Sequence, residues 1–364
     1  MLACMRRRSL PLALLALADA PASAATRPRG VAPRALAFPA DFGAHPDTRI
    51  EWWYVTGTLQ AGAAQHGFQI TFFRSRGAAA PAHPSRFAAR QLVFAHAAVT
   101  DLAQGRLRHD QRLARAGFGI AEAADGDTAV TLRGWSLRRD GPPARSRYRA
   151  QVASESAAFR LDLTFATTQP LLLQGDAGYS RKGPRPEQAS HYYSQPQLAV
   201  AGTLALDGQA LAVTGKAWLD HEWSEALLDA QAVGWDWLGM NLDDGAALTA
   251  FRLRRADGSA LWAGGSFRAA GGAVRAFAPE EVQFTPGRTW RSPVSQAVYP
   301  VEWTVTTPAG THRVKPLLDA QELDSRASTG AIYWEGLSEL LDERGQRVGL
   351  GYLEMTGYAG ALRL

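Results

Sequence analysis

From Glu51 onward the chain is one short aromatic and β-branched run after another, each closed by a polar or glycine-containing turn. The first run is Glu51-Trp52-Trp53-Tyr54-Val55-Thr56-Gly57-Thr58-Leu59, and 68–73, 92–99, 130–132, 148–152 and 159–165 follow it. Runs 198–206 and 211–218 flank Asp207-Gly208, a dipeptide suited to a two-residue hairpin because both of its residues tolerate positive φ. The pattern resumes at 235–242, 248–253, 261–267, 301–305, 333–341 and 348–355, with turns at Asp243-Asp244-Gly245 and Asp257-Gly258. Spacings of about 8 to 15 residues suit strands of a sandwich or an up-and-down barrel. Helical periodicity is confined to 224–231 and 317–323. The expected class is all-β.

The first 24 residues follow a different logic. Arg6-Arg7-Arg8, an apolar stretch over 10–18 and then Ala22-Ser23-Ala24 have the order of a cleavable secretory signal. A Pro/Ala/Arg-rich lead over 25–44 should be extended. The expected location is therefore the periplasm or the medium, and any contact with a membrane or export system would be transient. Cys4, the single cysteine, precedes the apolar stretch, so the mature chain has neither disulfide nor thiol chemistry. With 46% hydrophobic residues in 364, burial alone can hold such a chain together, as a monomer. A formal charge of +5 spread over scattered arginines gives no nucleic-acid tail.

Known catalytic signatures are missing: no Gly-x-Ser-x-Gly elbow, no phosphate-binding loop, and Glu225 where a zinc-protease helix would carry its second histidine. His45, His66, His83, His109 and His312 stand alone and are expected at the surface, and His96 in a core. Without cysteine or a close histidine pair, no zinc or copper shell and no cofactor is expected.

What remains is a set of acids among indoles. Trp218-Leu219-Asp220-His221-Glu222-Trp223 places three ionisable groups in succession at a strand end, and Gly234-Trp235-Asp236-Trp237 follows closely. On a strand, Trp235 and Trp237 share one face and Asp236 the other, so the acid points into a barrel or away from it. Burial beside apolar rings raises a carboxyl pKa, as a general acid requires, and His221 between Asp220 and Glu222 could pass the proton on. Against this, acids beside Trp often only bond indole N–H groups, and Trp52 and Trp53 are more readily core than ligand-lining. Residues 174–195, rich in Gly and Pro, read as a long loop carrying Lys182, Tyr192 and Tyr193. Loops of that length often form lids or binding segments.

Five blocks carry a family resemblance: Glu51-Trp52-Trp53-Tyr54-Val55-Thr56-Gly57, Tyr179-Ser180-Arg181-Lys182-Gly183, His191-Tyr192-Tyr193-Ser194, Trp218 to Trp223, and Gly234-Trp235-Asp236-Trp237. In this order, over about 45–360, the chain resembles the AttH family, exported lipocalin-like proteins related to the carotenoid 1,2-hydratases (hydroxyneurosporene synthases). The resemblance implies two consecutive lipocalin-like antiparallel β-barrels, here 45–223 and 224–364. It also implies cofactor-free addition of water to an isoprenoid double bond, in which an acid protonates the alkene and aromatic faces stabilise the cation. The family's His-x-Trp pair matches His221 and Trp223, and Asp236 is the candidate acid.

The expected catalytic residues are thus His221, Asp236, Asp220 and Glu222. Trp223, Trp235, Trp237, Trp53, Tyr192, Tyr193 and Lys182 should line the ligand. The expected function is hydratase- or lyase-like acid/base chemistry on a hydrophobic isoprenoid- or polyketide-like molecule. A carrier of hydrophobic ligands is the alternative, and a secreted hydrolase the third. An enzyme should gather His221, Asp236 and a Tyr or Lys around one cavity, whereas in a carrier they should point away from it.

Overall fold

The computed structural model describes residues 30–79, 83–226 and 228–362, so the expected signal segment, 1–24, lies outside the described residues. Among the described residues, helix occurs only as three single 3-10 turns, Ala40–Phe42, Pro143–Arg145 and Pro279–Glu281. The described residues of the stretches with helical periodicity, 224–231 and 317–323, are not helical. Segments that short do not hold a helix unaided, and their Leu228, Leu317 and Leu323 are instead drawn into apolar clusters beside the sheets. No helix among the described residues is long and apolar enough to cross a membrane.

The chain from 50 to 224 makes one antiparallel sheet of 13 strands. Its order is Arg106–Arg115, Gln91–Asp101, Ala64–Arg76, Ile50–Ala61, Gln209–Ser224, Ala189–Leu206, Phe159–Ala166, Arg147–Ser154, Trp135–Asp140, Ala129–Leu132 and Ala121–Ala123, with two short strands added beside Ala189–Leu206. Its ends are consecutive in the chain and curl together. Gly117 bridges Ala121, and the Arg112 guanidinium donates across the gap to the carbonyls of Arg133 and Ala153. Side-chain bonds thus nearly close a barrel where a backbone ladder stops, which leaves little unpaired edge.

From 234 onward a second antiparallel sheet of 10 strands follows the order Val274–Phe277, Ala260–Arg268, Ala247–Arg254, Gly234–Leu242, Arg347–Met355, Ala331–Leu341, Gly310–Pro316, Trp303–Thr307 and Gln283–Pro286, with Glu322–Ser325 beside Ala331–Leu341. The architecture is all-β, as the pattern of runs indicated, and lipocalin-like, as the resemblance implied.

Three apolar layers follow from the two-residue period of a strand. Trp53, Val55 and Leu59 enter the core of the first barrel, and Leu238, Met240 and Leu353 that of the second. A third cluster, with Tyr54, Trp218, Trp237, Phe251 and Tyr352, lies between the barrels. The strands of this seam are therefore buried on both faces. Gly67 sits there, and a Cβ on it would come within 2.6 Å of Tyr352 Oη and 3.0 Å of Leu337 Cβ. Gly67→Ala is expected to destabilise by about 1–3 kcal/mol through overpacking; an unshifted urea midpoint would contradict this.

Two expectations need correction. Residues 174–195 are not one loop, since Tyr179–Arg181 and Ala189–Leu206 are strands. Pairing with Gln209–Ser224 sets His191 opposite Trp223 and Tyr193 opposite His221, which confines Gly183, Pro184 and Pro186 to the connecting turn. Pro196 falls at the bulge between Gln195 and Leu198, a place where a strand tolerates proline. The described part of the 25–44 lead, from Gly30, is not simply extended either. At its end Phe42 is fully buried in the first core and its carbonyl accepts from Trp53 Nε1 at 3.2 Å. The hairpin at Asp207-Gly208 forms with φ of 49° and 84°, as a type I′ turn requires.

Candidate functional site

The register of the seam strands builds the site. In the first barrel one cross-strand row runs Tyr192, Glu222, Trp52, Phe73, Phe94, and the next runs Ser194, Asp220, Tyr54, Thr71, His96. In the second barrel a row runs Glu335, Glu354, Trp237, Phe251. Residues directly opposite on neighbouring strands share a face, so each row is a strip of wall. The two walls bound an open cleft. Its surface is mostly apolar and aromatic, with a few convergent polar groups, the usual make-up of a small-molecule site.

Four of those polar groups are carboxyls. Asp220 accepts hydrogen bonds from Tyr192 Oη at 2.8 Å, Ser194 Oγ at 2.5 Å and Trp218 Nε1 at 2.7 Å. These bonds favour its charged form, yet burial outweighs them and, with the nearby charge of Glu222, pushes the carboxyl up to about 7. Glu222 accepts from Ser190 Oγ and pairs with Lys182 Nζ at 3.0 Å. Lys182 Nζ also lies 4.6 Å from the Tyr192 ring centroid and 4.3 Å from that of Phe251. On the facing wall Glu335 and Glu354 stand opposite each other on adjacent strands. Burial raises both, and the charge of Glu354 pushes Glu335 further.

His221 and Asp236 are elsewhere. Strand alternation turns His221 away from Asp220 and Glu222, into the first barrel, where it is fully buried beneath Trp53 with ring centroids 4.6 Å apart. There His221 Nε2 meets Glu51 Oε1 at 2.9 Å, His45 Nδ1 meets the same oxygen at 2.6 Å, and Arg74 Nε donates to Glu51 Oε2 at 2.8 Å. His45 Nε2 continues to Asp41 at 3.0 Å, and Trp223 stacks on the His45 ring at 3.8 Å. Burial opposes the charge of Glu51, but the His221 and His45 contacts prevail and hold its carboxyl well below the usual range. Burial lowers His221, whereas the paired acids raise His45 against the same penalty.

The expectation that no two histidines come together therefore fails, because the docked lead brings His45 across Glu51 to His221. These three offer ligand atoms within 4.8 Å of one another, a donor set that suits zinc in kind. Their present contacts are those of a hydrogen-bonded chain, with Arg74 on the second carboxylate oxygen. His66 is also buried rather than at the surface.

Asp236 points into the second barrel, so the acid faces inward while Trp235 and Trp237 face the cleft. It is fully buried, accepts from Arg252 Nε at 2.7 Å and from Tyr358 Oη at 2.9 Å, and lies near Arg254. Burial raises its pKa against both arginines. A buried carboxylate paired in this way is costly to leave without its partners. It lies in a different barrel from His221, so the two form no acid/base pair.

The AttH-like family model matches residues 29–358. The chain belongs to the AttH-like family. Its fold superposes on the AttH protein of Nitrosomonas europaea with a TM-score of 0.83 and 50% identity, covering 90% of this chain and 98% of that one. Kievitone hydratase of Nectria haematococca shares the fold at a TM-score of 0.65 and 15% identity, over 85% of this chain and 89% of its own. CghA, in a complex with Sch210972, shares it at 0.52 and 12%, over 86% and 90%. At these identities the likeness to the last two concerns the fold alone. No curated protein sequence matches the chain.

For an AttH-like chain the cleft thus gathers Asp220, Glu222, Lys182, Tyr192, Trp235 and Trp237 from the residues singled out in the sequence. His221, Trp223, Trp53 and Tyr193 go to the first core and Asp236 to the second barrel. Sequence reasoning missed Trp52, Tyr54, Gln69, Glu335 and Glu354, all of which line the cleft. Parity carried part of the signal: Trp52 and Trp53 must face opposite ways, and Tyr333-Trp334-Glu335 repeats the acid-beside-indole theme.

Proposed function

We propose that the cleft between the barrels holds a hydrophobic small molecule and acts on it by cofactor-independent acid/base chemistry of the hydro-lyase type. The observation that carries this reading is the placement of carboxyls and one lysine in an otherwise aromatic cleft built from both barrels. Asp220, titrating at about 7, exchanges a proton at neutral pH. Its proton adds to one carbon of an isoprenoid- or polyketide-like alkene, indole and phenyl faces stabilise the cation, and water adds to the other carbon. Glu354 on the facing wall takes the proton released by that water. The name of kievitone hydratase, which shares the fold, agrees with this class of reaction.

The carrier reading keeps one observation in its favour: His221 and Asp236 both point away from the cleft. Export belongs to the proposal as well, on the order of Arg6-Arg7-Arg8, apolar run and Ala22-Ser23-Ala24, as do a monomeric state and the lack of a nucleic-acid partner. Native mass spectrometry of protein purified from its own compartment should show a copurifying hydrophobic metabolite. Turnover of that compound supports the enzyme, and binding without turnover moves the assignment to the carrier. Protein that takes up no apolar ligand would sink both.

A further inference from the structure

The cleft has two polar ends, and they differ in how well their groups are satisfied. Around Asp220 and Glu222 each carboxyl has its donors. At the other end three buried side chains that line the cleft keep a polar atom without a hydrogen-bond partner: Gln69 Oε1, Glu335 Oε1 and Tyr54 Oη. Their residues are 2%, 2% and 6% exposed. An unmade hydrogen bond on a buried polar atom is costly, so three in one place call for an explanation.

Their chemistry narrows the partner. Gln69 Nε2 donates to Thr71 Oγ1 at 2.8 Å and to Tyr333 Oη at 3.3 Å, which fixes the amide and leaves Oε1 as an acceptor. Glu335 stands opposite Glu354 on the next strand, and burial together with the charge of Glu354 raises its carboxyl, a repulsion that a cation seated between the two would relieve. The Tyr54 hydroxyl lies near enough to steady the Glu335 carboxylate, but neither atom closes a hydrogen bond of good geometry. Among the described residues no cation answers these acids. Lys182 is paired with Glu222, and burial holds His96, bonded to Tyr333 and Ser328, down to about 3, hence neutral. Four carboxyls face one lysine across aromatic walls.

A carbonyl or ether oxygen would leave Gln69 Oε1 unanswered, a carboxylate would be repelled, and one alcohol supplies a single proton for two acceptors. A primary ammonium supplies three. We infer that the ligand of this cleft is an amphipathic amine, its ammonium group bound by Glu335, Glu354 and Gln69 and its apolar body lying along the aromatic rows. The inference rests on the cleft being the ligand site and adds the class of ligand.

The test compares decylamine, decanol and decanoate by calorimetric titration of the intact protein at pH 7, where the amine is charged. Decylamine should bind at least about tenfold tighter than decanol, as expected of charge-assisted hydrogen bonds, with decanoate weakest. Glu335→Gln should erase the preference for the amine and leave decanol unchanged. Glu354→Gln serves as second variant if the first does not fold, with thermal melts as the check. Equal binding of amine and alcohol, tighter binding of decanoate, or a preference that survives both substitutions would overturn the inference while leaving the cleft as the ligand site. Binding of none of the three would remove the cleft reading itself, and the amine with it.

Discussion

Asp220→Asn should lower turnover of the cleft's substrate by about 10²–10⁴-fold, the range a general acid contributes, while leaving the fold at least as stable. Asparagine keeps the volume and an oxygen for the hydroxyls and indole around it, but cannot donate a carboxyl proton. Stability separates this from structural damage. The folded pKa of Asp220, about 7, lies above the unfolded value, so its contribution is full below the unfolded pKa, near 4, and is lost as pH rises towards 7. The wild type should therefore melt higher at pH 5 than at pH 8, and Asp220→Asn should narrow that difference. Unchanged turnover in a folded Asp220→Asn protein would end the acid/base assignment.

Glu51→Ala should be the most damaging single substitution for the fold, at about 3–5 kcal/mol, because it leaves a buried cation without its counter-charge. Arg74 is 1% exposed and its Nε pairs with Glu51; both histidines lose a partner too. The sign with pH is opposite to that of Asp220. Glu51 has a folded pKa below its unfolded one, so its stabilisation is present above about 4 and lost as pH falls through the acid range. Adding Arg74→Ala to Glu51→Ala should cost less than the two single losses together. His221→Ala should follow the same pattern, with a lower melting point and with ligand affinity reduced only as far as folding is. Urea melts of these variants beside ligand titrations decide the matter. A Glu51→Ala protein within about 1 kcal/mol of the wild type would mean the chain of charges does not hold the barrel together.

The strands, the Asp207-Gly208 hairpin and the all-β class were legible in the sequence because local period and turn chemistry encode them, whereas the two-barrel arrangement was implied by the family resemblance. The face that each residue presents was not. At the seam both faces of a strand are buried, so the apolar/polar alternation that normally tells inside from outside is missing from Trp52-Trp53-Tyr54 and from Trp218 to Trp223. His221 drew attention because it stands between two acids, yet neighbours in a strand point in opposite directions. Asp236 was misread as a partner for the same reason: closeness in sequence places it one strand on, but in another barrel. Glu335 and Glu354 left little trace, since an acid in an alternating run reads as solvent-facing until a second sheet covers it. His45 comes to Glu51 only because the amino-terminal lead folds back over the barrel, a non-local event that local pattern cannot report.

The cleft has one wall from each barrel, with Asp220 and Glu222 on the first and Glu335 and Glu354 on the second. A molecule seated there clasps two bodies at once, so its binding free energy is shared with the contact between them. Filling the cleft should tighten the seam, and anything that pries the seam apart, such as bulk at Gly67, should weaken capture of the ligand, since such coupling is reciprocal.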